Sequence, residues 1–217
     1  MIRKINVFIR RKFRRIFRDQ LCKKDILLLK NKKFVIIANN CWGGEVYSWF
    51  KRPYNSPFVG LYLHGPCFVK LLSNFSHYMS QELKFVNSTE YSAIVPNYPV
   101  ALLDDVEIHF LHYKSENEAR EKWTRRTSRM LEESNLDNYF FKICDLNGGC
   151  ENVLKKFHNL PFRNKVSFGV KNYASLINKN HIKIKESGKN KGLHVPNGVK
   201  LFKLTFLYFY ILTFQNG

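Results

Sequence analysis

Apolar residues along this chain gather in short runs, and the clearest runs end abruptly in amide, acid or glycine residues. The first is Phe34-Val35-Ile36-Ile37-Ala38, which stops at Asn39-Asn40-Cys41-Trp42-Gly43-Gly44. The segment from Glu45 to Phe50 then has helix-compatible spacing. This pattern predicts a buried strand, a tight loop and a helix N-terminus. Phe58 to Leu63 predicts a second buried strand, ending at His64-Gly65-Pro66, with Pro66 suited to the first turn of a helix over 67–83. Two strand-loop-helix units in succession predict an α/β, three-layer architecture with a largely parallel sheet.

Further along, Val106, Ile108 and Phe110 alternate with Glu107, His109 and Leu111, which predicts a strand with one polar face. Ser115 and Glu118 have the spacing of a capping box, opening a charged helix that runs to about Glu133. Tyr139–Cys144 is a further strand, followed by Asp145-Leu146-Asn147-Gly148-Gly149 and a helix over about 150–158. Lys165–Val170 is the last clear strand, and 178–200 reads as exposed loop. The ends differ from this middle. Residues 2–21 predict a basic amphipathic N-terminal helix, with Ile2, Ile5, Ile9, Phe13 and Ile16 on one face. Residues 201–214 are strongly apolar but shorter than a bilayer span and interrupted by Lys203, so they read as a core-packed helix. The expected organisation is therefore an N-terminal helix over 1–24, an α/β domain over 30–175, and a loop-rich region with an apolar segment over 176–217.

Charge changes the picture. Thirty-six Lys and Arg against seventeen Asp and Glu leave a formal charge of +19. Such a field attracts anionic lipid, nucleic acid or phosphorylated molecules. The basic N-terminal helix would lie on an anionic membrane surface through residues 1–20, or dock on the domain with its basic face in water. Nucleic acid is a third partner, without a stacking-aromatic pattern to accompany the arginines. The five cysteines are odd in number and include no C-x-x-C pair, which disfavours a disulfide scaffold and a zinc ribbon and favours a reducing compartment. No continuous apolar signal segment opens the chain. The expected location is cytoplasmic, peripheral at the inner membrane face.

Candidate chemistry sits where the strands end. Asn39 and Asn40 offer amides to sugar hydroxyls or an oxyanion, or satisfy their own loop. Cys41, at a helix N-terminus, is a candidate nucleophile with a lowered pKa, or a small residue shaping the turn. Trp42 would stack on a sugar ring or pack inward, and Gly43 and Gly44 permit close approach of a ligand or simply the turn. Glu107 and His109 share one strand face, so His109 oriented by Glu107 is a candidate general base, against a buried polar pair holding the sheet. His64 and Asp145 would join the same rim. His112 falls on the opposite face, which disfavours a three-ligand metal site. Lys114, Arg125 and Arg126 would hold a phosphate or form a solvated face. No P-loop or dinucleotide fingerprint is present, and no cofactor is indicated.

Several blocks in order carry a resemblance. Asn39 to Gly44, Pro53-Tyr54-Asn55-Ser56-Pro57 with Gly60-Leu61, Asp105 to Tyr113, Glu118 to Arg126 and Asn164-Lys165-Val166 resemble domain-of-unknown-function family 1919, over roughly 30–175. The family is often labelled exopolysaccharide biosynthesis protein. The resemblance implies an α/β fold and a role in capsular or surface-polysaccharide biosynthesis. The expected activity is group transfer, acyl or glycosyl, to a sugar or lipid-linked glycan acceptor. The alternative is a non-catalytic basic protein that binds nucleic acid or an acidic polymer.

Overall fold

A computed structural model describes residues 29–183, together with residue 23 and residues 25–27. The amphipathic segment 2–21 and the apolar segment 201–214 lie outside the described residues. β1 (Val35–Ala38) leads into α1 (Trp42–Trp49). Then come α2 (Gly65–Ser73), α3 (Phe75–Met79), β2 (Leu83–Val86), β3 (Val100–Leu103) and β4 (Val106–His109). α4 (Glu116–Leu131), β5 (Tyr139–Cys144), α5 (Glu151–Asn159), β6 (Asn164–Gly169) and β7 (His181–Lys183) complete the order. The fold is mixed α/β. One sheet has four parallel strands in the order β1-β5-β6-β7, and the second is an antiparallel meander, β2-β3-β4.

Alternation along β1 explains the layers. Val35 and Ile37 enter one apolar cluster, with Phe68, Leu71, Leu72, Trp123, Leu154 and Phe157 of α2, α4 and α5. Phe34, Ile36 and Ala38 enter the other, with Trp42, Val46, Tyr47 and Trp49 of α1. Successive side chains of a strand point to opposite faces, so a strand covered on both sides must be apolar throughout. β5 alternates in the same way, Tyr139, Phe141 and Ile143 facing the first cluster and Phe140 and Cys144 the second, with the buried Lys142 as its polar exception.

Three expectations need correction. Phe58–Leu63 is not a regular strand; it holds one bridge, between Tyr62 and His109. Gly60 sits at φ +79° and breaks the run. The helix expected over 67–83 is two helices, parted at Asn74, whose φ of −136° leaves the helical region. β7 falls in the stretch read as loop and pairs parallel to β6. The capping at α4 is as expected on one side: Ser115 Oγ accepts from Glu118 N at 3.2 Å. Glu118 Oε2 reaches back to Lys114 N at 2.7 Å rather than to Ser115.

The irregular 60–63 segment joins the two sheets. Leu63 N donates to Asn39 O at 3.0 Å, at the carboxyl end of β1. Tyr62 N donates to His109 O at 2.9 Å, and His109 N to Tyr62 O at 3.0 Å. The end of β4 is thereby carried to the carboxyl edge of the parallel sheet, where ligands bind in open α/β folds.

Candidate active site

Two polar clusters meet this edge. The first is built on β4. Glu107 and His109 lie two residues apart, and His109 Nε2 is 2.7 Å from Glu107 Oε1. The N–H is not aligned for a directed hydrogen bond, so the contact is one of charge and proximity. Glu107 also accepts from the Thr89 hydroxyl, and from Glu90 N at 3.1 Å. The His109 ring is 1% exposed and stacks on Tyr62 with centroids 4.3 Å apart. Its other nitrogen, Nδ1, lies 3.5 Å from Tyr98 Oη, and the hydroxyls of Tyr98 and Tyr62 are 2.9 Å apart.

Beside this pair opens a cleft of about 520 Å³, whose walls include Tyr62, His64, Tyr91, Tyr98, His109 and Asn147. His64 precedes α2 and stacks on Tyr91, with centroids 3.4 Å apart. The next residue, Gly65, donates from N to Asn147 O at 2.7 Å and ties this wall to the β5–α5 loop. Burial lowers the pKa of His64 to about 4, helped by the neighbouring imidazole of His109. Burial also lowers His109, while Glu107 acts in the opposite direction. Both imidazoles are therefore neutral at pH 7, the form a general base needs.

The second cluster lies on the α1 side of the sheet. Lys142 of β5 is 1% exposed. Its Nζ donates to Asn40 Oδ1 at 2.8 Å and to Asn39 Oδ1 at 3.3 Å. Asn40 Nδ2 donates to Cys144 Sγ at 3.2 Å, and Asn40 Oδ1 also accepts from Trp42 N at 3.2 Å. Asn39 Nδ2 is buried with no hydrogen-bond partner. Burial depresses the Lys142 amine, with Cys144 opposing. An amine so enclosed by neutral groups is held by the two asparagines rather than by a carboxylate.

This arrangement relocates several candidates. Asn39 and Asn40 hold Lys142 rather than face the cleft. Cys41 sits at the N-cap of α1, but burial pushes its thiol up despite the nearby amine of Lys142, contrary to the expected thiolate. Trp42 is buried against Phe168, at a centroid distance of 6.1 Å, and is not available to stack on a sugar. A Cβ on Gly43 would come within 3.0 Å of Ile36 Cγ2, and one on Gly44 within 3.2 Å of Val59 Cγ1, so both glycines serve helix–sheet packing. Asp145 Oδ2 accepts from Val170 N at 2.6 Å and fastens two loops.

The basic trio does not converge. Arg126 is buried, donating to Tyr113 Oη at 2.7 Å and Val59 O at 3.2 Å, because its position on α4 faces the 58–63 segment. Arg125 pairs with Glu121 at 3.4 Å on the exposed face, and Lys114 is exposed before the helix. Among the described residues, no group of three His, Cys, Asp or Glu side chains is placed to hold a metal ion. None of the described helices is long and apolar enough to cross a membrane.

Sequence reasoning missed Lys142 and the three tyrosines. A lysine flanked by Phe141 and Ile143, inside a strand buried at every position, was the available signal for the first. Tyr62 comes from the 58–63 segment and Tyr91 and Tyr98 from the loop before β3, and no regular spacing links them.

A Haemophilus influenzae protein (strain ATCC 51907 / DSM 11121 / KW20 / Rd), described as an uncharacterized protein, is 42% identical over 155 residues. The match covers 71% of this chain and 70% of that protein. The sequence also matches the family described as Domain of unknown function (DUF1919) over residues 12–207, well beyond the 30–175 core in which its motifs stand out. The chain belongs to the DUF1919 family.

Proposed function

We propose that the chain is a transferase of bacterial surface-polysaccharide assembly, moving an acyl or glycosyl group onto a hydroxyl of a sugar acceptor. The observation that carries this reading is the buried Glu107–His109 contact at the wall of a tyrosine-lined cleft. Tyrosine faces and hydroxyls suit a sugar, whose rings present both apolar and polar edges. Glu107 beside Nε2 favours the tautomer with its proton there and leaves the Nδ1 lone pair toward Tyr98. The acceptor hydroxyl hydrogen-bonds to the Tyr62–Tyr98 pair. Its proton passes through the Tyr98 hydroxyl to Nδ1 as its oxygen bonds to the donor carbon. The bond to the leaving group breaks with its electron pair, and the imidazolium returns the proton to that group. The setting is the cytoplasmic face of the membrane, with a lipid-linked glycan as one form of acceptor.

A ligand-stabilisation screen tests this reading. The melting temperature of the full chain is followed against nucleotide-sugars, acyl-CoA compounds, glycan acceptors and short RNA. A ligand at about one hundred times its Kd adds about 2.7 kcal/mol to stability. Stabilisation by a glycan, lost in His109→Gln, supports the proposal. A response to RNA alone overturns it.

A second reading, binding of nucleic acid or an acidic polymer without catalysis, is favoured by a separate cleft of about 540 Å³. Lys30, Lys32, Lys33, Arg52 and Arg129 line it, against Glu132 and Glu133. RNA binding that weakens steeply with salt would support this alternative.

A further inference from the structure

The loop between β2 and β3, residues 87–99, forms the outer lip of the tyrosine cleft. It is built rather than loose. Tyr91 N donates to Thr89 Oγ1 at 3.1 Å, Ile94 N to Ser92 Oγ at 3.0 Å, and Thr89 and Ser92 form a bridge. Pro96 and Pro99 restrict the returning limb. At the apex, Ile94 is 80% and Val95 69% exposed, with the exposed ring of Tyr91 beside the cleft. From Tyr91 to Leu103 the chain carries no charged residue, although the whole molecule has thirty-six Lys and Arg and seventeen Asp and Glu.

We infer that this lip inserts into the interface of an anionic bilayer and opens the cleft toward a lipid-borne acceptor. Docking to the bilayer stands on the lip itself; the lipid-borne acceptor rests on the transferase reading. Two adjacent β-branched aliphatics at a turn gain from burial among acyl chains, and tyrosines suit the headgroup level. A charge in that stretch would resist insertion, and none is present. Glu90 and Asp104 flank it and remain at the water side. The net charge of +19 supplies the attraction to an anionic surface that two aliphatic side chains need for stable association. The lip also reaches the proposed base through Glu107, because Thr89 and Glu90 donate to its carboxylate, which contacts His109. Seating at the membrane and the position of Glu107 are thus mechanically joined.

Flotation of the full chain with vesicles of three parts phosphatidylethanolamine and one part phosphatidylglycerol tests the inference. The comparison is wild type, the double variant Ile94→Ser/Val95→Ser, and Ile177→Ser as an exposed aliphatic away from the cleft. At moderate ionic strength, where the charge attraction acts equally on both proteins, the double variant is expected to bind at least about ten-fold more weakly than wild type. Ile177→Ser is expected to match wild type. Val95→Trp should show a blue-shifted emission on adding vesicles. Equal binding by wild type and the double variant, or an unshifted tryptophan, overturns the inference. So does a double variant that only converts a dimer to a monomer, since the lip would then be a contact between copies. His109→Gln is expected to bind vesicles normally, so loss of the transferase reading and loss of membrane docking are read separately.

Discussion

At the scale of single residues, the account turns on two buried titratable groups. His109 is lowered by burial and raised by Glu107, so Glu107→Gln removes the raising influence. The acidic limb of the pH–rate profile is then expected to move to lower pH. The maximal rate should fall by about 10- to 100-fold, because the imidazolium formed in the reaction loses the neighbouring carboxylate charge. An unchanged limb would separate Glu107 from the base. Lys142 makes the opposite kind of prediction. Its folded pKa lies below the unfolded value, so the unfolded chain binds more protons in between. Stability from this group is fully present above the unfolded pKa, about 10.4, and is lost as pH falls through the depressed folded value. Urea unfolding at neutral and alkaline pH should therefore show a rise with pH in wild type that is diminished in Lys142→Met. Asn40 retains Trp42 N as a partner in that variant.

The contrast between these two residues explains what was legible. Glu107 and His109 stand two apart in an alternating run, and strand parity alone brings them to one face. Lys142 meets Asn39 and Asn40 only because β1 and β5 pair in parallel across about a hundred residues, with Ala38 opposite Lys142. Local spacing carries no information about that pairing. The same limit hid the true roles of Trp42 and Arg126, which are fixed by what lies across from them.

At the scale of elements, longer runs with strong periodicity were readable and short ones were not. β5, α4 and α5 fall within a residue or two of expectation. β2 and β3 have four residues each, and β2 mixes Lys84 with apolar neighbours, so no run was long enough to mark a meander. Helix–sheet packing gives a direct test. A methyl on Gly43 meets Ile36 Cγ2 at 3.0 Å, so Gly43→Ala is expected to destabilise by about 1–3 kcal/mol in urea unfolding. A neutral result would mean that α1 can move off β1. Ser115 caps α4 through Glu118 N, and its replacement by Ala should cost about 1 kcal/mol.

At the scale of the whole molecule, the two sheets share one functional edge because the 60–63 segment joins them there. A second buried device holds the far side of the parallel sheet. His158 Nε2 and His181 Nδ1 each lie 2.8 Å from Ser167 Oγ, linking α5, β6 and β7. His158 is lowered to about 4, chiefly by burial and then by the neighbouring Lys165, His181 and Lys179. His64 is lowered to the same range. For both, stability is fully present above the unfolded value near 6.5 and is lost as pH falls through about 4. Between pH 6.5 and pH 4 the melting temperature is expected to fall steeply through these two groups, and His158→Asn should flatten that fall. An equal fall in the variant would assign it to other groups.

The most direct measurement of the central claim is a transfer assay read by mass spectrometry. Purified full chain is mixed with nucleotide-sugar or acyl-CoA donors and with glycan acceptors presented on vesicles. The account predicts a mass increment on the acceptor equal to one acyl or glycosyl group, reduced by about 10²- to 10⁴-fold in His109→Gln. Transfer at full rate by His109→Gln, with its fold intact by melting temperature, would contradict it.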